Sequence, residues 1–145
     1  MALIIRALSV RQPWASFIAE GKKSIETRTW NTVHRGELLI VASKLPSLPP
    51  LPAGKAVAFA RLSECRRMRP SDEARAMCAR YPRAFSWVLD DVRPIKVPFS
   101  VKGQLGLYYV KIEPIEGGSF RTLPIRERER PEEFGDLFSA GKGGL

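Results

Sequence analysis

Metal-binding residues are scarce in this chain: one histidine, His34, and two cysteines, Cys65 and Cys78, stand among 145 residues. They match no CxxC pattern and cannot supply a four-ligand zinc site, so no structural metal is expected and both thiols read as free. Long apolar runs are also missing, which excludes a membrane-spanning helix. The start, MALIIRALSVRQPW, lacks the basic flank, apolar stretch and small-residue cleavage site of a signal peptide. A cytoplasmic protein with no membrane partner is expected. No internal repeat is present and no cofactor is implied. What remains is a chain of single-domain length whose 44% apolar composition is enough for one core.

Acidic side chains are the other shortage, with 24 Lys and Arg against 15 Asp and Glu and a formal charge of +9. Residues 1–112 carry 19 basic and 8 acidic side chains, while residues 113–145 carry 5 and 7, so the positive field belongs to the body of the chain. Such a field favours polyanions through phosphate neutralisation and counterion release. A basic surface kept for solubility is the competing reading.

Leu3 to Val10 reads as a buried first strand, and Pro13 suits the first turn of a helix running to Glu20 and stopping at Gly21. A strand from Lys23 to Trp30 places Ser24, Glu26, Arg28 and Trp30 on one face and Ile25, Thr27 and Thr29 on the other. Glu37 to Ala42 is a buried strand, Leu45 to Pro52 a proline-rich loop, and Lys55 to Cys65 another strand. Pro70 to about Arg80 predicts a helix capped by Ser71. Strands follow at Phe85 to Leu89, Ile95 to Val97 and Leu107 to Ile112, the last two separated by the glycine-containing turn Lys102-Gly103-Gln104-Leu105-Gly106. Past Glu113 the periodicity weakens. Residues 1–112 are therefore expected to form the domain, with 113–145 an appendage disordered at 141–145. Many short strands and two short helices predict an α+β domain built on a small, mostly antiparallel β-barrel.

The densest polar cluster on ordered elements comprises Arg11, Gln12, Lys23, Glu26, Arg28, Arg35, Ser43 and Lys44. Glu26 and Arg28 share a strand face, where they either point into a barrel mouth or pair with each other on a solvated surface. Trp14, Trp30 and Trp87 suit a core, although indole near guanidinium groups is also how single strands are gripped. Lys23 and Arg28 suit phosphate, and Glu26 with Gln12 suits a base edge. Equally, a lysine desolvated in a cleft beside a carboxylate can run hydrolytic chemistry.

The stretch Leu8 to Lys44 closely resembles the ASCH domain, named after the activating signal cointegrator and grouped with the PUA-like barrels. The resemblance rests on Ser9-Val10-Arg11-Gln12-Pro13-Trp14-Ala15, the G-x-K-x-x-E-x-R element at Gly21, Lys23, Glu26 and Arg28, then Arg35-Gly36 and Ala42-Ser43-Lys44. Trp87-Val88-Leu89, Val92-Arg93-Pro94 and Lys102 to Gly106 resemble the family's later strands, so that it covers about residues 3–112. It implies a PUA-like β-barrel flanked by short helices and a role in contacting RNA or other nucleic acid, with RNA the expected partner ahead of DNA. Some small relatives are amidohydrolases acting on acetylated cytidine, and ribonuclease activity is ascribed to others. The catalytic lysine of the amidohydrolases falls at Lys23. Their threonine falls at Glu26, so a threonine nucleophile is not implied, and Thr27 should face the other way.

Candidate ligand-binding residues are thus the polar cluster together with Ser9, Trp14 and Trp30, and Lys23 and Glu26 are the candidates for catalysis. Three readings follow: recognition of RNA or a nucleoside-sized ligand, hydrolysis of a modified nucleoside or of RNA, and a protein-interaction module using an exposed apolar patch or Pro46 to Pro52.

Overall fold

The computed structural model of the chain describes residues 1–131. Seven strands, β1 (Leu3–Val10), β2 (Ile25–Arg28), β3 (Gly36–Ala42), β4 (Lys55–Arg67), β5 (Phe85–Ser100), β6 (Leu107–Ile115) and β7 (Ser119–Leu123), form one sheet. Its order is β2-β5-β4-β3-β1-β6-β7, with β1 and β3 parallel and the other neighbours antiparallel. Among the described residues two short α-helices, α1 (Trp14–Ala19) and α2 (Glu73–Ala76), make this a mixed α+β fold. No ladder joins β2 to β7 among the described residues, so the sheet is not closed by hydrogen bonding. β5 and β7 meet through Ser119 Oγ, which donates to Val97 O at 2.7 Å.

β3 explains why both faces of the sheet are covered. Its run Leu38 to Ala42 is fully buried and alternates between two cores: Leu38, Ile40 and Ala42 join Leu8, Val10, Ile18 and Trp87, while Leu39 and Val41 join Ile5, Ala7, Phe99 and Val110. A strand buried on both sides loses the polar alternation of a half-exposed one and reads as a continuous apolar run. A third, smaller core of Ile25, Met68, Ala76, Ala84 and Val88 lies beneath α2.

Several sequence expectations change in detail. The expected strands at 85–89 and 95–97 are one strand, β5, which bends at register shifts against β4 and at Asp91, whose φ is +49°. Its first half packs Trp87 and Leu89 into one core and its second half Ile95 and Phe99 into the other. The helix expected to run to Arg80 is a 3-10 turn at Pro70–Asp72 followed by α2, stopped by Met77 in the left-handed region at φ +58°. Its start is held by Asp72 rather than Ser71. The buried Asp72 carboxylate accepts from Arg69 N at 2.8 Å, Ser86 Oγ at 2.9 Å and the Arg66 guanidinium at 2.6 and 3.0 Å. β2 is shorter than the 23–30 expected, because it pairs with β5 only from Ile25 opposite Val88 to Arg28 opposite Phe85.

Beyond Glu113 the chain stays in the sheet as far as Leu123. The boundary drawn at residue 112 falls inside β6, and β7 follows it, with Phe120 packing edge-on against Phe59 at 5.4 Å and beside Phe99 at 5.5 Å. The expected disorder at 141–145 lies outside the described residues.

Candidate functional site

A cavity of about 1350 Å³ opens at one end of the sheet, between the β1–α1 junction, β2, the loop after β3 and the turn before β6. Eight of the residues singled out in the sequence line it. Ser9, Arg11 and Trp14 come from the β1–α1 junction, Glu26, Arg28 and Trp30 from β2 and its exit, and Ser43 and Lys44 from the end of β3. Parallel pairing of β1 with β3, from Ala7 opposite Leu39 to Val10 opposite Ala42, brings the first group beside the last.

The β2 wall is an ion-paired relay. Glu26 Oε2 accepts from Arg28 Nε at 3.1 Å and lies 3.0 Å from Nη2, while Oε1 lies 3.5 Å from Lys23 Nζ. Arg28 Nη2 also donates to Ser9 O at 2.6 Å, tying β2 to β1 across the cavity floor. Side-chain exposure rises along the relay, from 4% at Lys23 through 11% at Glu26 to 24% at Arg28. Buried charges persist when paired and hydrogen-bonded, and each of these is. Next to them Ser9 Oγ and Tyr108 OH are 2.7 Å apart. Burial pushes the Tyr108 hydroxyl above its ordinary pKa, against the opposing effects of Ser9, the Gln104 backbone and the Arg28 charge.

Three of the sequence candidates do not line the cavity. Lys23 sits behind Glu26, where its ammonium donates to Ala76 O of α2 at 2.5 Å and lies 5.5 Å from the Trp14 ring centre. Gln12 is buried: its Oε1 accepts from Ser16 N at 3.0 Å, an N-terminal cap for α1, and its Nε2 donates to Pro52 O at 2.9 Å. Arg35 donates to Thr32 O and His34 O, both at 2.8 Å, and braces the approach to β3. Thr27, expected to face away from Glu26, has its hydroxyl 3.9 Å from Cys78 Sγ, yet it also lines the cavity. Trp87 is core, and Trp30 meets it edge-on at 4.7 Å while still lining the cavity.

The turn before β6 supplies lining residues that sequence reasoning missed, Lys102, Gln104 and Leu105, and the segment between α2 and β5 supplies another, Tyr81. Gly103 explains the close approach of that turn, since a Cβ there would stand 3.1 Å from Ser9 Oγ. A lysine immediately before a glycine-bounded turn was the available signal. The side chains of Arg11, Lys44 and Lys102 make no hydrogen bond or ion pair with any described residue, unlike Arg28. Among the described residues no three His, Cys, Asp or Glu side chains converge as a metal would need.

A family model described as the ASCH domain matches residues 8–99. Activating signal cointegrator 1 from Homo sapiens is 56% identical over 41 residues, which are 28% of this chain and 7% of that protein. The Mus musculus protein of the same name is 54% identical over 41 residues, with the same shares. The match thus spans well under a tenth of these relatives. The crystal structure of ASCH from Zymomonas mobilis superposes with a TM-score of 0.54 at 18% identity, covering 86% of this chain and 89% of that one. A mutant form of that protein superposes at 0.52 and 19% identity over 66% and 75% of the two chains. At such identity the likeness is one of fold.

Proposed function

The chain belongs to the ASCH domain family, and from that premise we propose that its cavity is a basic cleft that binds a short stretch of single-stranded RNA. The observation that carries this reading is the set of three cavity cations, Arg11, Lys44 and Lys102, with no partner among the described residues. Such cations stay hydrated until phosphate displaces their counterions. Trp14, Trp30 and Tyr81 line the same space and suit base stacking. The volume of about 1350 Å³ exceeds the roughly 300–1,000 Å³ of ordinary small-molecule sites, which supports more than one nucleotide. RNA is preferred to DNA because the Ser43 and Ser100 hydroxyls line the space and suit a 2′-hydroxyl partner.

The same reading takes the sheet as a PUA-like barrel completed by packing of β5 against β7. Residues 1–112 carry the site, and the described residues beyond them add the end of β6 and β7 to the same sheet. The free thiols Cys65 and Cys78 favour the cytosol as its place of action.

Hydrolysis of a modified nucleoside or of RNA is the second reading. It is favoured by Glu26 standing at the cavity with Lys23 3.5 Å behind it, as a general base with a supporting cation would. Against it, Glu26 is already neutralised by Lys23 and Arg28, and the Lys23 ammonium is turned to a backbone carbonyl.

The test is calorimetric titration with single-stranded RNA at several salt concentrations, with mass spectrometry of acetylated cytidine and RNA after incubation. Neutralisation of about three phosphates gives a log–log salt slope of about −2, falling to about −0.7 in Lys44→Ala/Lys102→Ala. Absent or salt-independent binding overturns the proposal. Product formation that Glu26→Gln abolishes while binding survives moves the assignment to hydrolysis.

A further inference from the structure

A second cavity, of about 330 Å³, adjoins the first. It is lined by Arg67 at the end of β4, by Arg80, Tyr81 and Arg83 of the segment between α2 and β5, and by an apolar floor that includes Met68 and Ala84. Tyr81 lines both cavities and so marks where they adjoin. The segment is fixed by Met68 N donating to Ala84 O at 2.9 Å and Ala84 N donating to Tyr81 O at 3.2 Å.

None of the three guanidinium groups has a hydrogen bond or ion pair among the described residues. The carboxylates nearest in the chain have other partners than these guanidinium groups: Glu64 accepts from Arg66, Asp72 from Arg66, Ser86 and Arg69 N, and Glu73 from the backbone N of Arg80 at 2.7 Å. Arg67 is instead poised 5.5 Å over the Phe85 ring, which orients its donors without neutralising it. Arg83 also sits at a φ of +64°, which glycine adopts more easily. The three arginines are exposed, so their like charges are screened by water, cost the fold little and remain available to an anion. Guanidinium groups meet phosphate bidentately, and this cavity holds no tryptophan, unlike its neighbour.

We propose that the Arg67, Arg80 and Arg83 cavity is a phosphate subsite that holds the backbone of an RNA strand after it leaves the main cavity across Tyr81. This rests on the RNA-binding reading and adds a direction to it: bases are held first, between the tryptophans, and the backbone next, among the arginines.

The test compares oligouridylates of about 3 and about 12 nucleotides, the shorter filling the main cavity alone and the longer spanning a typical single-strand site. Wild type binds the longer oligomer more tightly and with a salt slope steeper by up to about 2. Arg80→Ala/Arg83→Gly flattens the slope for the longer oligomer by about 1.4 and leaves the shorter unchanged, whereas Lys44→Ala/Lys102→Ala weakens both. An unchanged slope for the longer oligomer in the arginine variant overturns the subsite and leaves the RNA-binding reading standing. Failure of wild type to bind either oligomer overturns both. Arg83→Gly alone is expected to keep or raise the melting midpoint, because it relieves the left-handed backbone. A sharp drop would make Arg83 a structural residue and remove it from the site.

Discussion

On the β2 side of the main cavity Glu26 is held between Lys23 at 3.5 Å and Arg28 at 3.0 Å, whereas around the rest of the rim Arg11, Lys44 and Lys102 have no described partner. The first arrangement puts charge inside the protein, where it survives because each group is satisfied, and loss of one strands the others. The second leaves charge in water, where it costs little and remains available to a ligand. Matched charge builds the wall, and unmatched charge addresses what enters.

The contrast breaks most visibly at Glu26. Glu26→Ala leaves the Lys23 ammonium buried without its carboxylate and is expected to destabilise the fold by about 3–5 kcal/mol, while Lys44→Ala should shift stability by no more than about 0.5 kcal/mol. Urea denaturation of both variants checks this, and equal losses would erase the distinction between the walls.

Asp72 sharpens it at the next remove, because it anchors the start of α2, whose Ala76 carbonyl receives Lys23. The Arg66 guanidinium holds the Asp72 carboxyl well below the usual carboxylate range, partly opposed by burial. A carboxyl acidified by folding contributes its full stability above its unfolded value and loses it as pH falls through the folded one. Asp72→Asn should therefore cost about 1.5–3 kcal/mol at neutral pH, with the gap to wild type closing below about pH 4. Denaturant midpoints across an acid series would show whether it closes.

Among the buried groups the smallest expected effect lies on the uncharged floor. Tyr108→Phe removes the contact with Ser9 Oγ and should cost about 1 kcal/mol. Because burial raises the Tyr108 pKa, the wild-type advantage is present below about pH 10 and declines above it. Thermal melts at neutral and alkaline pH separate the two proteins.

Much of this layout was legible from pattern. β1 and β3 were found because apolar runs of strand length admit few alternatives, and α1 because helical spacing ends at Gly21, which the structure holds at φ +81°. β7 was missed because only Phe120 and Leu123 of its five residues are apolar, and the packing partners of Phe120, Phe59 and Phe99, lie far away in sequence. α2 was drawn too long because nothing local announces that Met77 turns left-handed. In the site, residue types were easier to name than their duties. Gln12 and Lys23 carry the chemistry of ligand contacts, yet the first is spent capping α1 and the second on a carbonyl, assignments that only the tertiary arrangement makes.

The parallel pairing of β1 with β3 also bears on how the molecule assembles. Every other ladder is antiparallel, and this one joins residues roughly 30 apart in sequence, so its loop must close before the pairing returns any energy. That loop, residues 11–35, carries Arg11, Trp14, Glu26, Arg28 and Trp30. The entropic toll of bringing these side chains together is thus levied by the folding of the sheet, and the cleft is pre-organised before any ligand arrives.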